Sequence, residues 1–145
     1  MKITSKGRYA LIIMIEIAMC YQEGHVSLRS LSENQQISLK FSEQIVRGLC
    51  KAGLLTSVRG SRGGYMLVKP PSRYTVGEIL RTTEDSLVPS VELSVSPWQK
   101  PSAYDSVAIS FFRGLHEAIN RYADSVTLED LTERYREQSA NDYVI

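Results

Sequence analysis

Two short stretches hold the residues with chemistry to offer. In "SLKFSEQIVR", Lys40, Glu43, Gln44 and Arg47 recur at helical i, i+3, i+4, i+7 spacing, so one helix face carries donors and acceptors of different kinds. Such a face suits the reading of base edges: Gln44 can bond an adenine edge with both its donor and its acceptor, Glu43 can accept from a cytosine amino group, and Lys40 and Arg47 suit phosphate or guanine. In "VRGSRGGY", Arg59 and Arg62 are flanked by glycines, which let the backbone approach closely while a guanidinium enters a narrow, electronegative minor groove. A third group, Lys2, Thr4, Ser5, Lys6, Arg8 and Tyr9, gathers at the start of a helix, where free amides and cations both favour a phosphate. Each group also has a plainer reading, as a solvated helix face, an exposed turn or, for Phe41, a core contact. Their order along the chain favours nucleic acid.

The elements that must position them follow from periodicity and caps. Leu11, Met14, Ile15 and Ala18 mark a first helix from Lys2 to about Tyr21, with Thr4 or Ser5 as N-cap and Gly24 as breaker. Ser27 opens a short second helix carrying Leu28 and Leu31, and "ENQQ" closes it. Ser38 caps a third helix to about Ala52, with Phe41, Ile45 and Leu49 inward and Gly53 as its left-handed stop. The runs Leu54–Val58 and Tyr65–Val68 flank "GSRGG", which predicts a hairpin with positive φ at its tip. Thr75 caps a short helix with Val76, Ile79 and Leu80 inward. Three short helices followed by a hairpin with arginines at its tip make a winged helix-turn-helix.

Beyond Asp85 the composition changes. Residues 86–103 hold Pro89, Pro97 and Pro101 among serines and read as an irregular connector. Val107, Phe111, Leu115, Ala118, Ile119 and Tyr122, widened by Phe112, then mark a helix of about five turns, more apolar than a lone helix on a small domain should show. "SVTLEDL" starts a last short helix at a Thr127 cap, with Glu129 and Asp130 near the positive end of its dipole.

The overall balance, 43% hydrophobic and 23% charged, is that of a globular chain, and no apolar run approaches the roughly 20 residues a membrane span needs. A cytoplasmic protein is expected. Residues 1–85 hold 12 Lys/Arg against 7 Asp/Glu, and residues 86–145 hold 5 against 9, so the two parts should meet different partners. Cys20 and Cys50, with His25 and His116, fall at no metal-ligand spacing, so no metal is expected. There is no nucleophile with a base and orienter, no phosphate loop and no paired-carboxylate site, so no enzyme is expected.

"TSKGRYA", "ISLKFSEQIVRGLCKAGLLTSVRGSRGGYML" and "TLEDL" together resemble the Rrf-type transcription regulators over nearly the whole chain, the "VRG..GGY" wing being the most specific motif. The resemblance implies a mainly α fold with a β-hairpin wing: a winged helix-turn-helix domain over 1–85, the connector 86–103, a dimerisation helix and short C-terminal helix over 104–137, and a tail over 138–145. It places Ser38, Lys40, Phe41, Glu43 and Gln44 at recognition-helix positions and Arg59 at the minor-groove position, with Lys40 and Ser42 less typical. It implies a homodimer on double-stranded DNA with a palindromic operator.

Many members bind an iron-sulfur cluster through cysteines between wing and dimer helix. Here no cysteine or histidine lies between Asp85 and Asp105, so no cofactor is implied. The members that repress cysteine-metabolism genes share that lack and act with O-acetylserine thiol-lyase (cysteine synthase), an enzyme class that captures C-terminal peptides ending in isoleucine. The sequence ends "DYVI", and Tyr143, Val144 and Ile145 are by this resemblance the partner-binding residues; packing of the tail on the dimer helix is the alternative. A thiol-based redox repressor using Cys20 or Cys50 is the rival function.

Overall fold

The computed structural model describes residues 2–88, Trp98, Lys100 and 102–142. Six helices and one hairpin follow in the order α1 (Ser5–Met19), α2 (Leu28–Gln35), α3 (Leu39–Lys51), β1 (Leu55–Val58), β2 (Gly64–Leu67), α4 (Val76–Leu80), α5 (Ala103–Ser125) and α6 (Leu128–Asp142), with a 3-10 turn at Pro71–Arg73. The fold is therefore mainly α with a β-hairpin wing, as the residues predict.

Hydroxyl caps start five of the helices. Thr4, Ser27, Ser38, Thr75 and Ser102 each accept a hydrogen bond from a first-turn amide of the helix that follows, satisfying a donor the helix itself leaves free. At α6 the same work is shared, Asp130 N donating to Thr127 Oγ1 (3.1 Å) and Thr127 N to the Asp130 carboxylate (2.9 Å). These bonds hold Asp130 and, at the Ser102 cap, Asp105 below the usual carboxylate range.

The core is built on α1. Ala10, Ile13, Met14, Ile17 and Ala18 are buried there against Leu31, Ile45, Val46, Leu49, Leu55, Leu67, Tyr74, Ile79 and Leu128. The sequence placed the inward stripe at Leu11, Met14, Ile15 and Ala18, and Leu11 and Ile15 are only half-buried. α1 is apolar nearly all round because α3, α4, α6 and β2 surround it, so its periodicity marks one edge of a broad buried face. Val76 and Leu80 of α4 are likewise half-buried, with Ile79 fully inward.

The C-terminal helix differs most from expectation. It runs 15 residues to Asp142, so residues 138–142, read as tail, are helical. It packs on α1 and the 3-10 turn, burying Thr132 and placing Leu128 in the same core as the winged helix. Tyr143, Val144 and Ile145, and most of the connector, lie outside the described residues.

Candidate nucleic-acid interface

The recognition helix is set by two short contacts at its start. Ser38 Oγ caps α3 by accepting from Phe41 N (3.0 Å), and Ser42, fully buried, donates its hydroxyl to Ser38 O (3.1 Å). Ser42 is therefore a structural residue facing inward, and its atypical identity bears on packing rather than on base reading. Phe41 is half-buried, its ring edge-on to Tyr9 at 5.8 Å, which joins the starts of α1 and α3. Ile45, Val46 and Leu49 hold the opposite side of α3 in the core.

The polar side stands in solvent. Lys40, Glu43, Gln44 and Arg47 are all exposed, and Arg47 donates to Glu43 at 2.8 Å, an i, i+4 pair worth only a few tenths of a kcal/mol and easily exchanged for other partners. Gln44 makes no side-chain hydrogen bond among the described residues, so its amide offers donor and acceptor together. Leu39, unnoticed in the sequence because it breaks no pattern, is 53% exposed at the first position of this helix.

The wing is a four-residue antiparallel ladder from Leu55↔Leu67 to Val58↔Gly64, closed by Arg59–Gly63. Gly60 sits at φ 116°, and a Cβ on Gly63 would stand 2.1 Å from Val58 O, so the turn requires glycine at both places. A third backbone segment braces it: Val26 and Tyr65 exchange hydrogen bonds of 2.9 and 2.8 Å, and His25 Nε2 bonds Arg62 O. Arg59 and Arg62 are left exposed at the tip. Tyr65, paired with Ser57 one step from the turn, lies near enough to Glu43 and Arg47 of α3 for their charges to act on its phenol, though burial is what chiefly pushes that group up.

The start of α1 is more engaged than the sequence suggests. Thr4 donates from its amide (3.0 Å) and its hydroxyl (2.6 Å) to Glu84, while its Oγ1 accepts from Gly7 N. Glu84 is 9% exposed and packs so closely that a Cβ on Gly7 would meet its Oε1 at 2.1 Å. The amide and hydroxyl of Thr4 are thus used internally. Lys2, Ser5, Lys6 and Arg8 remain exposed, Arg8 lying over the Tyr9 ring at 4.9 Å.

Residues 3–134 match the model of the Rrf2 family, described as iron-dependent transcriptional regulators. The chain belongs to the Rrf2 family. CymR of Bacillus subtilis, an HTH-type transcriptional regulator, is 38% identical over 131 residues, covering 90% of this chain and 89% of CymR. Its solved structure superposes with a TM-score of 0.73, covering 92% and 98% of the two chains. IscR of Serratia proteamaculans is 37% identical over 131 residues, 90% of this chain and 79% of IscR, and the structure of T. potens IscR gives a TM-score of 0.75 at 34% identity, covering 95% and 90%. As an Rrf2 member, the protein is a DNA-binding transcription regulator and not an enzyme.

The family's description names iron, and the donors here do not fit it. Cys20 ends α1 and Cys50 lies near the end of α3, and among the described residues no three His, Cys, Asp or Glu side chains gather to hold a metal. The remaining residues, Met1, 89–97, Gln99, Pro101 and 143–145, include no cysteine or histidine. No helix among the described residues is long and apolar enough to cross a membrane.

Replacing Arg59 with alanine is expected to weaken duplex binding about tenfold or more and to lower the slope of log affinity against log salt by about one per protomer, with no change in melting temperature. Fluorescence anisotropy over a salt series reads both.

Proposed function

We propose that the protein is a homodimeric repressor of cysteine and sulfur-metabolism genes. It binds a palindromic operator with Ser38 at the cap of α3 and Lys40, Phe41, Glu43, Gln44 and Arg47 of α3 in the major groove, and Arg59 and Arg62 in the minor groove. The observation that carries the DNA reading is an exposed polar face on α3, with Lys40 and Gln44 free of side-chain partners among the described residues and Glu43 paired only with Arg47, beside a braced wing with two exposed arginines. In support of the dimer, none of the 23 residues of α5 is buried, while Tyr104, Val107, Phe111 and Tyr122 are 65–89% exposed along it. An apolar groove of about 510 Å³ lined by Ile3, Leu11, Leu80, Ile119, Tyr122 and Leu131 adjoins that face. A patch of this size on an isolated protomer fits a second copy.

The link to cysteine metabolism is supported by the similarity to CymR, which is described as the global cysteine regulator of B. subtilis, and by the absence of cluster ligands. Its sensory partner is O-acetylserine thiol-lyase, whose active site already holds donors for an amino-acid carboxylate. Ile145 would lie at those donors, with Tyr143 and Val144 in the apolar entrance. O-acetylserine competes for the same donors, so its accumulation frees the tail and releases DNA; by linkage, operator DNA tightens enzyme binding.

Calorimetric titration into purified thiol-lyase tests this. Binding that is lost when Val144 and Ile145 are removed, and abolished by O-acetylserine, is expected; binding indifferent to the truncation would contradict it. The rival thiol-based repressor is opposed by the cysteines themselves: burial, with Glu23 and Glu16 added at Cys20, pushes both thiols up and reduces the reactive thiolate.

A further inference from the structure

α5 is joined to the winged-helix body at a narrow junction. Val76 N donates to Val126 O (2.9 Å) and Leu128 N to Tyr74 O (3.0 Å), an isolated antiparallel bridge pairing Thr75 with Thr127. Val126 is extended, at φ −99° and ψ 121°, so the chain bends there between α5 and α6. Two backbone bonds at one end of a long helix form a pivot, and the part-buried Ile119 and Ala123 that line the apolar groove beside it supply contact without direction, so the angle of the helix depends on whatever polar contact is added.

One side chain supplies the second point. Arg81, which caps the end of α4, donates from Nη1 to Asp124 Oδ1 (2.6 Å), and from Nη2 to Asp124 Oδ2 (3.1 Å) and Asn120 Oδ1 (2.9 Å). Among the described residues no other side-chain hydrogen bond or ion pair ties α5 to the rest of the protein. Gly77 makes room for it: a Cβ there would stand 2.1 Å from Asp124 Oδ1 and 2.7 Å from Arg81 Nη1. Both partners are about half exposed, so the fork adds little to folding stability. Its three planar, charge-assisted contacts instead define an angle.

We propose that Arg81, held by Asp124 and Asn120, is a positioning residue that sets the half-site spacing the dimer accepts. The proposal rests on the dimeric, operator-binding reading given above. A helix of this length is about 35 Å long, so a turn of about 10° at the pivot displaces its far end by roughly 6 Å, nearly two base-pair steps. If α5 carries the dimer contact, the two recognition helices move apart or together by a comparable amount.

The test uses full-length protein and a palindrome obtained by selection, with its central spacer lengthened or shortened by one and two base pairs. Wild type should favour one spacing. Arg81→Ala and Asp124→Ala should remain dimeric, keep their affinity for a single half-site, and lose about fivefold of the discrimination between spacings. Gly77→Ala, which retains the three polar groups but drives them apart, should do the same, and Arg81→Lys should fall between. A dimeric Arg81→Ala with the wild-type spacing profile would overturn this inference alone. A wild type that binds one half-site as a monomer would overturn it together with the dimeric reading.

Discussion

Gln44→Ala is expected to abolish most of the preference for the operator over unrelated duplex while leaving non-specific affinity intact. Gln44 stands exposed on α3 with donor and acceptor both uncommitted, whereas its neighbours Glu43 and Arg47 hold each other. A bidentate side-chain contact discriminates by about 1–3 kcal/mol per base pair. A dimer makes it twice, so the loss should be roughly 2–6 kcal/mol, or about 30-fold to more than ten-thousandfold. The cap at Ser38 and the buried Ile45, Val46 and Leu49 are untouched, so the helix should keep its place. Anisotropy titrations against operator and scrambled duplexes would check this; an equal loss on both sequences would assign Gln44 to positioning rather than to base reading.

The largest expected effect on stability lies at Tyr74. Its ring is fully buried, and its hydroxyl donates to Leu54 O (2.7 Å) while accepting from Val68 N (2.9 Å) and Lys69 N (3.2 Å). That single oxygen ties the entry and the exit of the wing hairpin together. Tyr74→Phe keeps the packing and strands one carbonyl and two amides, at a cost of about 2–3 kcal/mol. For a chain of this size the melting temperature should fall by roughly 5–10 °C. Thermal unfolding followed by circular dichroism would show it; a shift of about 1 °C would mean that water reaches these groups.

What could be read in advance was local. Thr4, Ser27, Ser38, Thr75 and Thr127 cap helices because the hydroxyl and the amide it receives lie within three residues, a relation visible in sequence. The glycines of the wing declare a turn in the same way, and its arginines follow. What the sequence hid depends on distant partners. Glu84 meets Thr4 across 80 residues and Arg81 meets Asp124 across 43, and no spacing rule connects either pair. The docking of α6 on α1 was hidden for a like reason: Leu128 reads as one of a few apolar residues in a polar helix until α1 is seen to be apolar nearly all round. Ser42 looks like a surface residue of the recognition helix because its side chain is polar, and its burial beside Ile45, Val46 and Leu49, with its hydroxyl on Ser38 O, shows that it points inward.

The central claim, that this protein reads duplex DNA as a two-fold dimer through α3 and its wing, is tested most directly by selecting bound sequences from a random duplex library and titrating the winner across salt. The account predicts an enriched palindrome with half-sites one helical turn or a multiple apart, and affinity falling roughly a thousandfold between 50 and 200 mM salt. Enrichment of no sequence, or binding indifferent to salt, would contradict it.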